Sequence, residues 1–373
     1  MNDHHQLSAE LDAIRSAARR LTDPGAEPAP GGDPPADGSS GPDAAGDAAP
    51  PPEVTVAMPA RNAAPYIAEA IGSVLRQEGV ALELVVVDDA STDATAEIVG
   101  AIRDPRVRLL RNDRRRGIGH GHNRALEAAH APLIAHVDAD DVILQGALAA
   151  MVEALRAEPE AGQAYCNHYA LDADGHIEAE DFRRQRAFLE AQRREHPAYR
   201  RGLLRHGMVT NTLRTYRRDV LRDAGPFDEG LRFAVDYEMA LRIADRYPMT
   251  LVPRFLYAQR LHAGNTQETM RLRALRSWCQ RRRIAERLLR ERDGRLLGYG
   301  RVEVRLLMVG GLADALGLGH LRGALRALLR ERSGRARRRG RKGPGVSAKT
   351  SDRGSSRSEE SPAHPDRCGR RSR

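Results

Sequence analysis

Between Val54 and Val137 the apolar positions switch repeatedly between two periods. Val54-Thr-Val-Ala-Met58, Leu84-Val-Val-Val87, Val107-Arg-Leu-Leu110 and Leu133-Ile-Ala-His-Val137 are short aliphatic runs, the length and β-branched character of buried strands. Between them the spacing is helical. Ile67, Ala70, Ile71, Val74 and Leu75 form one buried face, entered near Pro65, a good first-turn residue. Ala94, Ile98, Val99 and Ile102 predict a second helix, with Ser91 or Thr92 as its cap. A third, around Asn123 to His130, follows Gly117-Ile-Gly-His-Gly121, whose glycines read as a flexible loop. Strands alternating with helices imply right-handed crossovers and an α/β fold with a doubly wound, mostly parallel sheet.

Further along, the pattern predicts a helix over Gln145–Ala157, a strand over Ala164–Leu171 and a hairpin turn at Asp174-Gly175. A basic helical or irregular segment, Arg183–Arg205, precedes a strand over Met208–Tyr216 and a short helix over Arg217–Asp223. Asp236–Arg246 reads as helix, Leu251–Arg260 as an extended segment broken by Pro253, and Thr266 to about Leu297 as an arginine-laden helix. At the other end, Leu7, Leu11, Ile14, Ala18 and Leu21 give residues 1–22 the spacing of a short amphipathic helix suited to docking. Residues 23–52 are dominated by Pro, Gly, Ala and Asp and read as a disordered linker; residues 333–373 read as a disordered basic tail. The expected organisation is therefore a folded α/β domain over 53–265 and a helical extension over 266–332 between those two flanks.

Composition narrows the class. The formal charge of +9 is concentrated in arginine-rich stretches such as Arg332-Ser-Gly-Arg-Ala-Arg-Arg-Arg-Gly-Arg-Lys342. Such a tail suits peripheral contact with an anionic membrane surface. Without a recognition helix or interleaved aromatics it offers no sequence-specific nucleic-acid binding. The three cysteines, Cys166, Cys279 and Cys368, lie far apart, which excludes a zinc knuckle or disulfide framework and fits a cytoplasmic location, peripheral at the inner membrane face. No signal pattern opens the chain, and Leu306–Leu321 is too short and interrupted to span a bilayer.

The candidate chemistry lies at strand ends. Leu133-Ile-Ala-His-Val-Asp-Ala-Asp-Asp141 stops an apolar run at three carboxylates, two of them spaced D-x-D, in the position where open α/β sheets place their ligand crevice. Such a pair suits a hard divalent cation gripping a diphosphate. Asp88-Asp89 ends the second strand and Asp236 begins a later helix, so three acidic groups point to one crevice. No G-x-G-x-x-G follows the first strand and no Walker A loop is present, which disfavours a nicotinamide site and excludes P-loop hydrolysis. His120, His122 and His136 match no standard metal spacing, and Cys166 and Trp278 read as packing residues.

Val54–Met58-Pro-Ala-Arg-Asn62, Val85-Val-Val-Asp-Asp-Ala-Ser-Thr-Asp93, Gly117 with Asn123-Arg124, and His136-Val-Asp-Ala-Asp-Asp141, in this order and spacing, resemble the family 2 glycosyltransferases of GT-A fold. Gly225-Pro-Phe-Asp-Glu229 with Val235-Asp-Tyr-Glu238 resembles that family's later acidic motif, and Arg260-Leu-His-Ala-Gly-Asn-Thr-Gln267 its closing loop. The resemblance covers Glu53 to Gln267. It implies that Pro59, Arg61, Asn62 and Asn123 belong to the nucleotide-sugar site and that Asp88 and Asp89 meet the base and ribose. It implies that Asp138 contacts the ribose, that Asp140 binds Mn²⁺ or Mg²⁺ with His262 nearby, and that Asp236 is the general base. Two positions depart from the family pattern: Val235 stands where an acid is common and Ala240 where an aromatic is often found. Both fall near the acceptor side.

The reaction this implies is inverting transfer from a nucleoside-diphosphate sugar, a UDP-sugar first among them, to a hydroxyl of a saccharide or lipid-linked acceptor, in cell-envelope polysaccharide synthesis. Two alternatives remain at this stage. One is a nucleotidyltransferase of similar fold, whose glycine-rich loop is missing from Ala60–Ala64. The other is a nucleotide-sugar or anionic-surface binding protein with little catalysis.

Overall fold

The structure, a computed structural model, describes residues 2–22, 50–177, 198–210, 212–261, 270–316 and 318, all within one compact unit, Met1–Arg326. The linker 23–49, most of the basic segment after Ile177, the loop 262–269 and the basic tail lie outside the described residues.

The aliphatic runs form β1 (Val54–Ala60), β2 (Leu82–Asp88), β3 (Val107–Arg111) and β4 (Leu133–His136). Together with β5 (Val142–Ile143), β6 (Gln163–Leu171), β7 (Thr212–Arg217) and β8 (Met249–Arg260) they make one eight-stranded sheet, ordered β3-β2-β1-β4-β7-β6-β8-β5. β1, β2, β3 and β4 are mutually parallel, so their C-terminal ends share one edge. β7 enters antiparallel between β4 and β6, β8 runs parallel to β6, and β5 closes the far edge antiparallel to β8. The result is the GT-A arrangement, a parallel half continued by a mixed half.

Helices α2 (Ile67–Leu75), α3 (Thr95–Ala101), α4 (Ile118–Ala128) and α5 (Ala147–Ala157) cross between strands. Ile67, Ile71 and Val74 of α2 and Leu148, Met151 and Leu155 of α5 are fully or almost fully buried against Val54, Val56, Leu84 and Val86 of the sheet. Truncating one of these side chains to alanine costs roughly 2–5 kcal/mol.

α1 (Asn2–Thr22) precedes the sheet, and α6 (Tyr199–His206), α7 (Arg218–Ala224), α8 (Val235–Arg246), α9 (Met270–Glu291), the small hairpin of β9 (Arg295–Leu296) with β10 (Tyr299–Gly300), and α10 (Arg301–Ala315) complete the described elements. α10 meets α6 at Gly311, where a Cβ would sit 1.6 Å from the Arg205 carbonyl oxygen, and Arg205 pairs with Asp314 at 2.6 Å. Trp278, half-buried, donates from Nε1 to the Met308 carbonyl at 2.9 Å. None of the described helices is long and apolar enough to cross a membrane.

Three local expectations change. Gly117–Gly121 is not a flexible loop: α4 begins at Ile118, and its glycines serve close approach. A Cβ on Gly121 would lie 2.9 Å from that of Pro59, and one on Gly119 would lie 3.0 Å from the Asp228 carbonyl oxygen. Pro253 does not break β8; the strand runs through it, and the pairing with β6 shifts register between Tyr165 and Asn167, where the missing N–H is absorbed. Ser91 and Thr92 do not cap α3. Its N-cap is Ala94, and Asp93 just before it accepts from the Thr95 amide at 3.0 Å.

Candidate active site

The parallel edge is shaped by the two turns that follow β1 and β2, which are tied to each other. The Arg61 guanidinium donates to the carbonyls of Asp89 and Ala90 at 2.6 and 2.8 Å. The Asn62 amide donates to Ser91 Oγ at 3.0 Å, and Asn62 Oδ1 accepts from the Thr92 amide at 2.8 Å. This lacing holds Asn62 at φ 51 and Ala90 at φ 53, a region L-residues seldom visit. Asp89 then organises the next segment. Its carboxylate accepts from Asn112 Nδ2 at 2.8 Å, the Arg116 amide at 2.7 Å and the Gly117 amide at 2.8 Å. Burial alone would raise its pKa, but these three donors and the charge of Arg61 outweigh it and hold the carboxyl below its usual range.

These turns form one wall of a cleft of about 900 Å³. Pro59, Arg61 and Asp89 line it, and Arg115, Arg116 and Arg232 add positive charge. Asp138 and Asp140 line it as well. Asn62, Asp88 and Asn123 do not reach the lining. Asp88 is buried and accepts from the Ser91 amide at 3.3 Å. Asn123 clamps α4 to the 227–229 turn: its Nδ2 donates to the Phe227 carbonyl at 3.0 Å and its Oδ1 accepts from the Phe227 amide at 2.7 Å. Asp88 and Asn123 thus act from buried positions, whereas Asn62 is exposed and tied to the Ser91–Thr92 turn. His262 lies outside the described residues.

The D-x-D turn follows β4, and its third aspartate has a different task from the first two. Asp141 is buried and accepts from the Tyr257 hydroxyl and the Arg260 amide, each at 2.8 Å, fastening the turn to β8. Tyr257 in turn accepts from the Asp138 amide at 3.1 Å. Burial, then the charges of Asp138 and Asp140, push the Asp141 carboxyl well up despite those two donors. Asp138 is pushed up to about 6, first by burial and then by Asp140 and Asp236, with Arg214 opposing them.

Behind the cleft lies a second, smaller cavity of about 150 Å³, lined by His136, Asp138, Thr212, Arg214, Asp236 and Gln259 among others. Asp138 lines both spaces. Asp236 is in the first turn of α8; its Oδ1 accepts from the Tyr237 amide at 2.8 Å and its Oδ2 faces Arg214 at 3.3 Å. Burial works against the Arg214 charge, but Asp236, Tyr216 and Asp138 outweigh it and hold the guanidinium protonated. Leu213, at φ 44, and Ala234, at φ 61, precede these two residues closely. Four of the six described non-glycine residues with positive φ (Asn62, Ala90, Leu213 and Ala234) therefore flank this site. Strain of that kind persists where the surrounding structure over-determines it.

His122 and His136 stack face to face with ring centroids 4.0 Å apart, enclosed by Phe227 and Tyr216. Burial, then Arg214, lowers His122 to about 3; burial, then His122 and Arg214, puts His136 well below its usual range. Both rings are neutral packing elements and not a metal cluster. Cys166 is likewise a small buried side chain, its thiol pushed up to about 12 mainly by burial.

The acidic residues can be tested for metal binding on charge and donor type. Asp138 and Asp236 bring hard oxygen donors to the buried guanidinium of Arg214, Asp140 adds a third beside Asp138, and burial, with Asp140 and Asp236 adding to it, raises the Asp138 carboxyl. Clustered, partly desolvated carboxylate oxygens of this kind fit a divalent ion. Among the described residues no three His, Cys, Asp or Glu side chains already converge as a complete ligand set.

Arg214, Tyr257 and Arg260 were missed in the sequence. The signal for Arg214 was a charged residue in the middle of a predicted strand, next to Leu213. For Tyr257 and Arg260 it was a polar strand end opposite the acidic turn.

Residues 55–225 match the family described as Glycosyl transferase family 2. The chain is 32% identical over 246 residues to an uncharacterized protein of Mycobacterium tuberculosis, a match covering 62% of this chain and 74% of that one. It is 36% identical over 236 residues to the succinoglycan biosynthesis protein ExoO of Rhizobium meliloti, covering 59% of this chain and 64% of the relative. Chondroitin synthase of Escherichia coli is 26% identical over 217 residues, 58% of this chain but 30% of the synthase, so the similarity spans only part of that protein. Among solved structures, the mannosyltransferase PcManGT from Pyrobaculum calidifontis, in complex with GDP-Man and Mn²⁺, shares the fold with a TM-score of 0.51 at 22% identity, covering 90% of each chain.

Proposed function

The chain belongs to glycosyl transferase family 2, and from that premise we propose that it is a divalent-metal-dependent, inverting glycosyltransferase. It takes a sugar from a nucleoside-diphosphate donor, a UDP-sugar, and passes it to a hydroxyl of a saccharide or lipid-linked acceptor in envelope polysaccharide synthesis. One observation carries this reading: Asp138 lines both the large cleft and the smaller cavity that holds Asp236, so donor-side and acceptor-side carboxylates meet at one point.

In this reading the nucleotide diphosphate lies in the cleft, between Arg61, Arg116 and Arg232 and the Asp138–Asp140 turn. Asp138 and Asp140 would hold Mn²⁺ or Mg²⁺, and the ion would supply charge to offset that of the departing diphosphate. The Pyrobaculum enzyme of this fold, in complex with GDP-Man and Mn²⁺, supports a nucleotide sugar and a metal as the ligand class.

An acceptor oxygen attacks the anomeric carbon as the carbon–oxygen bond to the diphosphate breaks, and the bonding pair leaves with the diphosphate. The Asp236 carboxylate takes the acceptor's proton. Arg214 and the Tyr237 amide fix one Asp236 oxygen each and thereby aim the carboxylate. A single displacement inverts the anomeric centre and needs no nucleophile from the protein.

The test is release of nucleoside diphosphate from a panel of UDP-, GDP-, dTDP- and CMP-sugars with Mn²⁺ and an acceptor mixture. The reading expects turnover with one nucleotide class, abolished by EDTA and reduced by about 10²–10³ in Asp140→Ala. Turnover indifferent to both changes would overturn it.

A further inference from the structure

The D-x-D turn is held by a helix that lies outside the segment matched to the family. α1 buries Leu7, Leu11 and Ile14 in a separate apolar cluster with Val142, Leu144, Tyr169, Leu171, Ile177 and Ala258. Val142 and Leu144 directly follow the acidic turn, so the helix packs on the residues that carry Asp138–Asp141 onward. Glu10 accepts from the Gln145 backbone amide, His4 meets the Ile177 carbonyl at 2.9 Å, and Arg76 of the α2 side reaches the Ala13 carbonyl at 3.4 Å.

A second route runs through two guanidiniums. Arg15 of α1 donates to the carbonyls of Asp174 and Gly175 at 3.2 and 2.5 Å, in the tight turn after β6. Arg260 enters the same turn from the other side. It is 4% exposed, donates to the Ala173 carbonyl at 3.2 Å and the Asp140 carbonyl at 3.3 Å, and pairs with Glu69 at 2.5 Å. Its own amide holds Asp141. Gly175, at φ +79, separates the two: a Cβ there would lie 2.6 Å from an Arg260 nitrogen and 2.9 Å from an Arg15 nitrogen.

We propose that α1 is a clamp on the donor-binding turn, with Arg15 and Arg260 as positioning residues that set the Asp138 and Asp140 carboxylates through the 172–176 turn. This rests on the reading of Asp138 and Asp140 as the metal and diphosphate site. α1 also touches the principal cluster through Leu21, but the buried members of that cluster come from β1, β2, β4, α2, α5 and their neighbours, so without α1 the fold would keep its core.

The test uses full-length protein carrying Leu11→Asp, which undocks the helix, and Arg15→Ala, which removes only the contact to the turn. Amide exchange is followed at Asp141, Leu144 and Gln145 against Val85–Val87 in β2, and Mn²⁺ affinity is measured with the metal alone. The clamp predicts exchange at least about tenfold faster at the turn with β2 unchanged. It also predicts Mn²⁺ binding weakened about tenfold in Leu11→Asp and less in Arg15→Ala, and recovered on adding a peptide of residues 2–22. Unchanged turn exchange, or weakened binding that the peptide does not restore, would overturn the clamp. Faster turn exchange in a protein whose wild type binds no Mn²⁺ would overturn the metal reading instead, leaving α1 as a structural brace.

Discussion

The two sides of the cleft handle polar groups in opposite ways. On the side built by the β1 and β2 turns, the carboxylate of Asp89 already has three donors at 2.7–2.8 Å, and Arg61 and Asn62 are spent on holding neighbouring backbone. On the side built by the β4 turn and α8, Asp138 shares its surroundings with Asp140 and Asp236, and its carboxyl rises to about 6. The first side is complete as folded. The second sets Asp138 close to Asp140 and Asp236, with Arg214 as the buried cation facing them. Folding stability should therefore reside in the first and catalysis in the second, and variants on the two sides should separate the two properties.

The largest separation is expected at Asp140 and Asp138. Asp140→Ala lowers turnover by about 10²–10³, the scale for loss of one electrostatic stabiliser. Asp138→Asn lowers it comparably while raising the melting temperature, because a crowded, partly buried carboxylate is replaced by a neutral amide. Paired activity and melting data check both. A fall in melting temperature for Asp138→Asn would contradict this view of the crowded carboxylate.

Asp89→Ala should do the reverse. Three charge-assisted hydrogen bonds disappear and the 112–117 segment loosens, at a cost of about 3–5 kcal/mol in stability, measured by denaturant unfolding. Gly121→Ala is a smaller version of the same break, since its Cβ would press on Pro59 at 2.9 Å. Overpacking at such a contact costs about 1–3 kcal/mol.

The smallest effect is a pH dependence. His122 in the folded protein sits at about 3, below its ordinary 6.5, so the unfolded chain takes up the proton first as pH falls. Its contribution to stability is intact above about 6.5 and is lost progressively between 6.5 and about 3, reaching roughly 2 kcal/mol by pH 5. His122→Gln should flatten that slope in melts taken from pH 7 to 5.

This asymmetry also explains what could be read from the sequence. The parallel half follows from period and composition alone, because each strand is a continuous aliphatic run and each helix shows one apolar face. The mixed half was less legible. β5 has two residues and no pattern of its own, and β8 carries a proline that argues against a strand until the register shift beside it is seen. Glycines at 119 and 121 signal a loop locally, and only the approach of Pro59 and Asp228 explains them inside a helix. The acidic positions Asp138, Asp140 and Asp236 were legible as a group, because together they fall where one crevice is expected, although each alone could be a cap or turn residue. Their partners were not: Arg214, Tyr257 and Arg260 act across more than twenty residues of chain, by contacts that no local spacing encodes. For the same reason the spacing does not reveal that Asp88 and Asn123 are buried, or that Asn62, though exposed, is tied to the Ser91–Thr92 turn.

The most direct test of the central claim is the melting temperature of wild type and Asp140→Ala with UDP, GDP, dTDP and CMP, each with and without Mn²⁺. A ligand that binds only the folded state must raise it. The account predicts a rise with one nucleotide, UDP first, that requires Mn²⁺ and vanishes in Asp140→Ala. A rise that is equal without the metal, or equal in the variant, would contradict the assignment of the Asp138–Asp140 turn as the metal and diphosphate site.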